Sequence, residues 1–205
     1  MRSIAGLDLV GGSPALDLAN TINSRRAPEH DYLSSYDDLV AWARHAGVPG
    51  ASTPGRDAAA EERALRSTHR LREAIYRTFS AVARREAPPV ADVRRVLRAY
   101  GTAVGRGVLD PAGAIRWPTA SAAAVVLDPI AYAAGQLLLA IDRPPVKECP
   151  GCGWLFLDRS RNSSRRWCDM RTCGSRDKMR RYHRSRRSDR PAPRKRSGTR
   201  TDQVS

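Results

Sequence analysis

The chain's four cysteines, Cys149, Cys152, Cys168 and Cys173, fall in one short stretch: a C-x2-C pair, fifteen intervening residues and a C-x4-C pair. Thiolates act as nucleophiles, redox centres or metal ligands, and spacing discriminates among these roles. Two disulfides would need an oxidising compartment. The opening MRSIAGLDLVGGSPALDL places acids and glycines where a secretion signal needs an unbroken apolar run. A thioredoxin-type redox site uses one C-x-x-C within a βαβ context, which the sequence lacks. Two close pairs match a tetrahedral four-thiolate site with Zn–S near ~2.3 Å, so one structural Zn2+ is expected. His183 is a substitute ligand by type, but it stands ten residues past Cys173 on an arginine-rich segment. Exposure or a phosphate contact suits it better.

Charge is the second chemical signal. Lys and Arg number 36 against 21 Asp and Glu, a net charge of +15. Residues 1–142 hold 17 basic and 15 acidic side chains, whereas residues 143–205 hold 19 and 6. A GC-rich coding genome would explain why only Lys147, Lys178 and Lys195 are lysines, but not why positive charge gathers at one end. Such a segment seeks a polyanion, with strong salt dependence. No apolar run approaches the ~18–20 residues of a membrane span. A soluble, intracellular protein is expected.

These groups need a scaffold, and 205 residues permit one domain or a modest domain with a small module. GGSPALDLANT reads as a turn feeding a short helix. SSYDDLVAWARHAG gives a helix capped by Ser35, with Asp37 and Asp38 in its first turn and Gly47 as its stop. Leu39, Trp42, Ala43 and Ala46 form its apolar stripe. The longest helical pattern covers 57–86, with Ala64, Thr68, Leu71, Ile75, Phe79 and Val82 on one face and Pro88-Pro89 ending it. Another covers 91–104 through Val93, Val96, Leu97, Tyr100 and Val104. VLDPAGAIRW reads as two short strands about a turn. At Leu127-Asp128-Pro129 a helix opens with Asp as cap and Pro in the first turn. Its continuation, IAYAAGQLLLAI, is apolar nearly all round and belongs in the core.

The expected fold class is therefore α+β: a mostly helical N-terminal domain with a small β-hairpin over 1–142, then a small four-cysteine zinc-bound hairpin-plus-helix module over 143–187. Asp142-Arg143-Pro144-Pro145 is the expected hinge, and 188–205 a disordered basic tail. The module is too short to hold a core without a metal staple. In it, Trp154-Leu155-Phe156-Leu157 is an apolar strand, and Arg165-Arg166-Trp167-Cys168 the returning edge of a hairpin. From Cys173, GSRDKMRRYHRSRR reads as a helix with Ser175 as cap and Arg176, Arg180, Arg184 and Arg187 on one face.

CPGCGWLFLDRSRNSSRRWCDMRTCGSRDKMRRYHR resembles the CGNR zinc finger, whose pattern includes C-x-W-x-F-x-D-x-S, R-R-W-C and the C-G-N-R of its name. Residues 7–140 resemble the ABATE domain that precedes this finger, through ALDLANT, SYDDLVAWA and LREAIYRTF. That resemblance implies a bacterial, stress-induced transcription regulator: cytoplasmic, and nucleoid-associated when its finger is on duplex DNA. It carries over the four cysteines as zinc ligands, and Arg165, Arg166, Arg176 and Lys178 as nucleic-acid contacts. Arg180, Arg181, Arg184 and Arg187 join them on the basic helix. Ser175 departs from the family's asparagine, which shortens or removes any contact made there but still suits a helix start.

Other readings stand beside this one. Trp154, Phe156 and Trp167 either stack on bases or, as aromatics beside metal ligands commonly do, pack over the metal. Asp17, Asn20 and Thr21 are candidates for a small-molecule effector pocket, and equally for capping and buried hydrogen bonding. The N-terminal domain would sense such an effector or mediate assembly, for instance as a homodimer. No phosphate loop, nucleophile elbow or H-E-x-x-H motif is present, so an enzyme is not expected. The basic helix lacks a continuous apolar side, which disfavours membranes. An RNA-binding or ribosome-associated module is the alternative function. A redox switch through thiolate oxidation and zinc ejection is compatible with either partner.

Overall fold

A computed structural model of the chain describes residues 3–49, 57–117, 124–140 and 143–188. Asp142 of the expected hinge and the expected tail beyond Ser188 lie outside them. Proline at the first helical position starts α1 (Pro14–Ala19), whose Ala15, Leu16, Leu18 and Ala19 have no exposed surface. Ser35 and Asp38 form a reciprocal capping box on α2 (Tyr36–His45), and Leu39, Trp42 and Ala43 are buried as the stripe predicts. Asp57 caps α3 (Ala58–Arg84) by accepting from the Ala59 N–H. At 27 residues this helix runs about 40 Å and packs against both α1 and α2. Its face of Ala64, Thr68, Leu71, Ile75 and Phe79 is buried.

The stop of α3 differs from expectation. The helix ends at Arg84, before the Pro88-Pro89 pair is reached, because Arg85 adopts a left-handed conformation (φ 60°) and its N–H turns back to the Ala81 and Val82 carbonyls. In α4 (Val90–Arg106), Val96 and Ala103 face the core, whereas Leu97 and Val104 lie on the outer side. The expected two-stranded turn is present as β1 (Val108–Leu109) and β2 (Ile115–Arg116), antiparallel, with Asp110 accepting from Ala112 and Ala114 in the turn.

Helix α5 spans Ala124–Leu139, so Asp128 and Pro129 lie inside it and not at its cap. Asp128 is buried there and meets Arg106 of α4 at 3.4 Å. Helices α4 and α5 pack face to face, and a Cβ on Gly135 would sit 2.2 Å from the Tyr100 ring; only glycine admits this approach.

Beyond Arg143-Pro144-Pro145, β3 (Val146–Glu148) pairs antiparallel with β4 (Leu155–Leu157). The hairpin of the finger is thus formed with the strand before Cys149, and not with residues 165–168 as the sequence suggested. Its side chains Val146, Leu155 and Leu157 are buried in one apolar cluster with α1, α3 and α5. Packing therefore crosses the boundary that composition draws at residue 142.

Candidate metal centre and nucleic-acid interface

The β3–β4 turn is the metal knuckle. The Cys149 N–H donates to the Trp154 carbonyl and the Gly153 N–H to the Cys149 carbonyl, each at 2.8 Å, so Cys149 and Cys152 are folded onto the same side. Gly153 makes this possible with φ +78°; a Cβ there would come within 2.8 Å of the Arg25 Cβ. The second pair is set by a π-helical turn over Met170–Gly174 that leads directly into α6 (Ser175–Ser188). Asp169 caps this turn through the Arg171 N–H at 2.6 Å. Ser175 already has helical dihedrals (φ −63°, ψ −42°) and its hydroxyl donates to the Met170 carbonyl, so the cap assigned to it belongs to Asp169.

The four ligand sulfurs lie within 4.8 Å of one another, and those of Cys152 and Cys168 within 3.5 Å. Tetrahedral Zn–S bonds of ~2.3 Å require sulfurs roughly 3.8 Å apart, so the set fits one ion. Cys149, Cys168 and Cys173 are buried and Cys152 is partly buried. Hydrogen bonds from the Cys152 and Cys168 thiols pull Cys149 far below its ordinary pKa, while the Cys149 sulfur drives Cys152 up to about 12 and Cys168 higher still. Sulfurs crowded this way share protons unless a dication neutralises them, and that is what Zn2+ supplies. Backbone N–H groups of Cys168 and Cys152 point at the Cys149 sulfur, and that of Trp154 at Cys152, further favouring thiolates.

The aromatics beside the ligands close the centre. Phe156 and Trp167 are buried in a cluster with Cys149, Cys168 and Cys173. Trp154 lies partly buried with its indole N–H on the Ile22 carbonyl at 2.6 Å. Phe156 and Trp167 thus pack beside the ligand cysteines, the second of the two arrangements open to them. The loop between β4 and Trp167 is held by Asp158, which accepts from the Ser160 and Arg165 N–H groups and pairs with Lys147 at 2.6 Å. Burial alone would raise the Asp158 carboxyl, but Lys147, the Ser160 hydroxyl and the backbone N–H bonds hold it well below the usual carboxylate range.

The basic residues divide into two groups. Arg165 is half-buried: its guanidinium donates to the Trp167 and Cys168 carbonyls and lies 4.3 Å from the Phe156 ring centroid. It braces the metal loop. Arg166 is exposed, 5.0 Å above Trp167. Arg176, Lys178, Arg180, Arg181 and Arg184 are all exposed on α6, as is His183, with Asp177 pairing Arg180 at 3.5 Å and Arg181 at 3.1 Å. Arg176 also borders a groove of about 380 Å³ beside Cys152, Cys168 and Cys173. Arg187 belongs to α6, but its side chain lies outside the described residues.

The profile of the ABATE family, described as a putative stress-induced transcription regulator, matches residues 12–140, and that of the CGNR zinc finger matches residues 146–187. The chain belongs to the ABATE family. No curated protein matches it. In the ABATE domain, Asp17, Asn20 and Thr21 are buried and hydrogen-bonded within the fold. The Asp17 carboxylate accepts from the Gly11 N–H at 2.8 Å, Asn20 bonds Leu155 through both amide atoms, and Thr21 donates to the Leu18 carbonyl. His45 and His69 each reach a backbone carbonyl through Nε2, Leu7 at 2.8 Å and Leu33 at 2.9 Å.

The docking of the CGNR finger onto the ABATE domain depends on residues that sequence reading did not select. The Arg25 N–H donates to the Cys152 carbonyl at 2.7 Å, and its guanidinium is held by Glu73 and the Ala19 carbonyl over the Tyr76 ring. Next to it, buried Arg72 forks onto Asp31 with two 2.7 Å bonds. Arg25 in SRRAP is the linear trace of this clamp; its partners Glu73 and Cys152 are far away in sequence. Among the described residues no helix is long and apolar enough to cross a membrane.

Proposed function

We propose that this protein is a zinc-dependent transcription regulator that binds duplex DNA through its CGNR finger, with the ABATE domain sensing a ligand or mediating assembly. One observation carries the reading: α6, exposed and rich in arginine, begins immediately after the last metal ligand, Cys173. The metal thereby fixes the origin and direction of the basic helix. Arg166, Arg176, Lys178, Arg180, Arg181 and Arg184 supply phosphate contacts, which give affinity and position. Arginine also forks onto guanine O6 and N7 in the major groove, which would add sequence selection. Arg165 acts through the metal loop it braces. Burial of Phe156 and Trp167 counts against a base-stacking, single-strand reading.

The test is selection of zinc-loaded full-length protein on a random duplex pool at moderate salt, with a chelated control and structured RNA as competitor. One enriched motif, lost with the metal, is the expected result. Salt-sensitive binding without enrichment would reduce the function to phosphate attraction, and preferential competition by RNA would replace DNA with RNA as the partner.

A further inference from the structure

We propose that a groove between α3, α4 and α5 binds a small organic monoacid with an apolar body. The groove encloses about 300 Å³, at the lower end of the ~300–1,000 Å³ typical of small-molecule sites. Its floor is apolar, made by Leu71 of α3, Ala99 of α4, and Leu127 and Ala131 of α5. Three arginines also line it, Arg70 from α3 and Arg95 and Arg106 from α4.

Three like charges around one apolar hollow repel one another unless something negative joins them. The other arginines of α3 have such a partner, Arg63 in Asp57, Arg66 in Glu62, Arg72 in Asp31, Arg77 in Asp92 and Arg84 in Glu86, whereas Arg94 and Arg98 on α4 make no ion pair among the described residues. Arg70 and Arg95 likewise make no ion pair within 4.0 Å among the described residues; Arg70 reaches only as far as the Ser67 hydroxyl, at 3.2 Å. Arg106 touches Asp128 once, at 3.4 Å, and its side chain is 57% exposed. Asp128 is the one acidic residue lining the groove beside three arginines, and the Asp92 carboxyl, already paired with Arg77, also acts on Arg95. This excess is local, since residues 1–142 hold 17 basic and 15 acidic side chains.

The two halves of the groove dictate the ligand's chemistry. A carboxylate matches the planar fork of arginine, and an apolar body covers Leu71 and Leu127. Inorganic phosphate satisfies only the first half. A neutral amide of the same shape satisfies only the second. A dicarboxylate would bring its second charge near Asp128. Calling the acid an effector rests on the regulator reading above; its binding does not.

The experiment is calorimetric titration of zinc-loaded full-length protein with benzoate, phenylacetate and hexanoate, beside benzamide, succinate and inorganic phosphate. The same titrations are run on an Arg70→Gln/Arg95→Gln variant, whose two exposed positions make no ion pair within 4.0 Å among the described residues. We expect saturable one-to-one binding of at least one monoacid, weakened about tenfold or more in the variant. Benzamide, succinate and phosphate should bind more weakly than that acid. Absence of saturable binding by all three acids, equal affinity in the variant, or benzamide binding as well as benzoate would overturn the proposal. Duplex-DNA binding is measured separately. Acid binding without DNA binding leaves the groove standing and removes the regulator, and the reverse result removes the groove alone.

Discussion

Asn20 of α1 is joined to Leu155 of β4 by two hydrogen bonds, its Nδ2 donating to the Leu155 carbonyl and its Oδ1 accepting the Leu155 N–H, both at 2.9 Å. A side-chain amide completes the backbone of a strand 135 residues away, and it does so in the buried seam between the ABATE domain and the finger. Replacing Asn20 by alanine strands two backbone groups, each at roughly 1–3 kcal/mol. Asn20→Ala should lower unfolding stability by about 2–4 kcal/mol in denaturant titrations and speed zinc loss to a chromogenic chelator. Unchanged zinc kinetics would show that the metal centre does not depend on this seam.

Removing the metal should melt only part of the finger. Val146, Leu155 and Leu157 belong to the main core, whereas residues 158–188 are organised by the Cys168–Cys173 turn and the Asp158 loop. In hydrogen exchange after chelation, amides of 158–188 should lose protection while those of β3 and β4 keep it. Cys168→Ser should reproduce the pattern without chelator. Concerted loss of protection in β3 and β4 would mean that zinc, and not apolar packing, holds the hairpin.

Asp17 gives stability a pH dependence of known sign. Burial raises its carboxyl to about 6, opposed by the Gly11 N–H and by His45. An acid whose pKa is higher folded than unfolded (~3.9) binds its proton more tightly when folded, so its contribution favours folding below pH ~4. That contribution is lost as pH rises to about 6, at a cost of roughly 2–3 kcal/mol. Asp17→Asn keeps an acceptor for Gly11 and removes the titration. The variant should be the more stable protein at pH 7, with a flatter stability profile between pH 4 and 6. Parallel profiles for the two proteins would place the titration elsewhere.

Salt dependence separates the two groups of arginines. Each cation withdrawn from a phosphate makes the slope of log K against log salt shallower by ~0.9 on duplex DNA. An Arg176→Gln/Lys178→Gln/Arg184→Gln variant should bind with a slope shallower by about 2 to 3 and retain its zinc. Arg165→Gln should instead weaken zinc retention, since its guanidinium holds the Trp167 and Cys168 carbonyls. The opposite assignment would follow if Arg165→Gln changed the slope and left the metal bound.

Local chemistry was legible in the linear sequence. Cysteine spacing announced one four-sulfur ion site, helical periodicity placed α2 and the buried face of α3, and the run of arginines marked α6, because each signal depends on neighbours within a few residues. Boundaries depending on a single backbone conformation were less so: Arg85 in a left-handed turn ends α3 before the prolines, and Asp169 takes the cap that Ser175 offered. What only the tertiary structure decided was partnership across long separations. It gave Cys149 its hairpin with the strand before it, set Arg165 to bracing, bound Asn20 to Leu155 and Arg25 to Cys152, and brought Arg70, Arg95 and Arg106 around one hollow. Side-chain type fixes what a group can bond. Which group it meets is chosen by the burial of apolar faces from distant segments, and that choice leaves no periodicity in the chain to read.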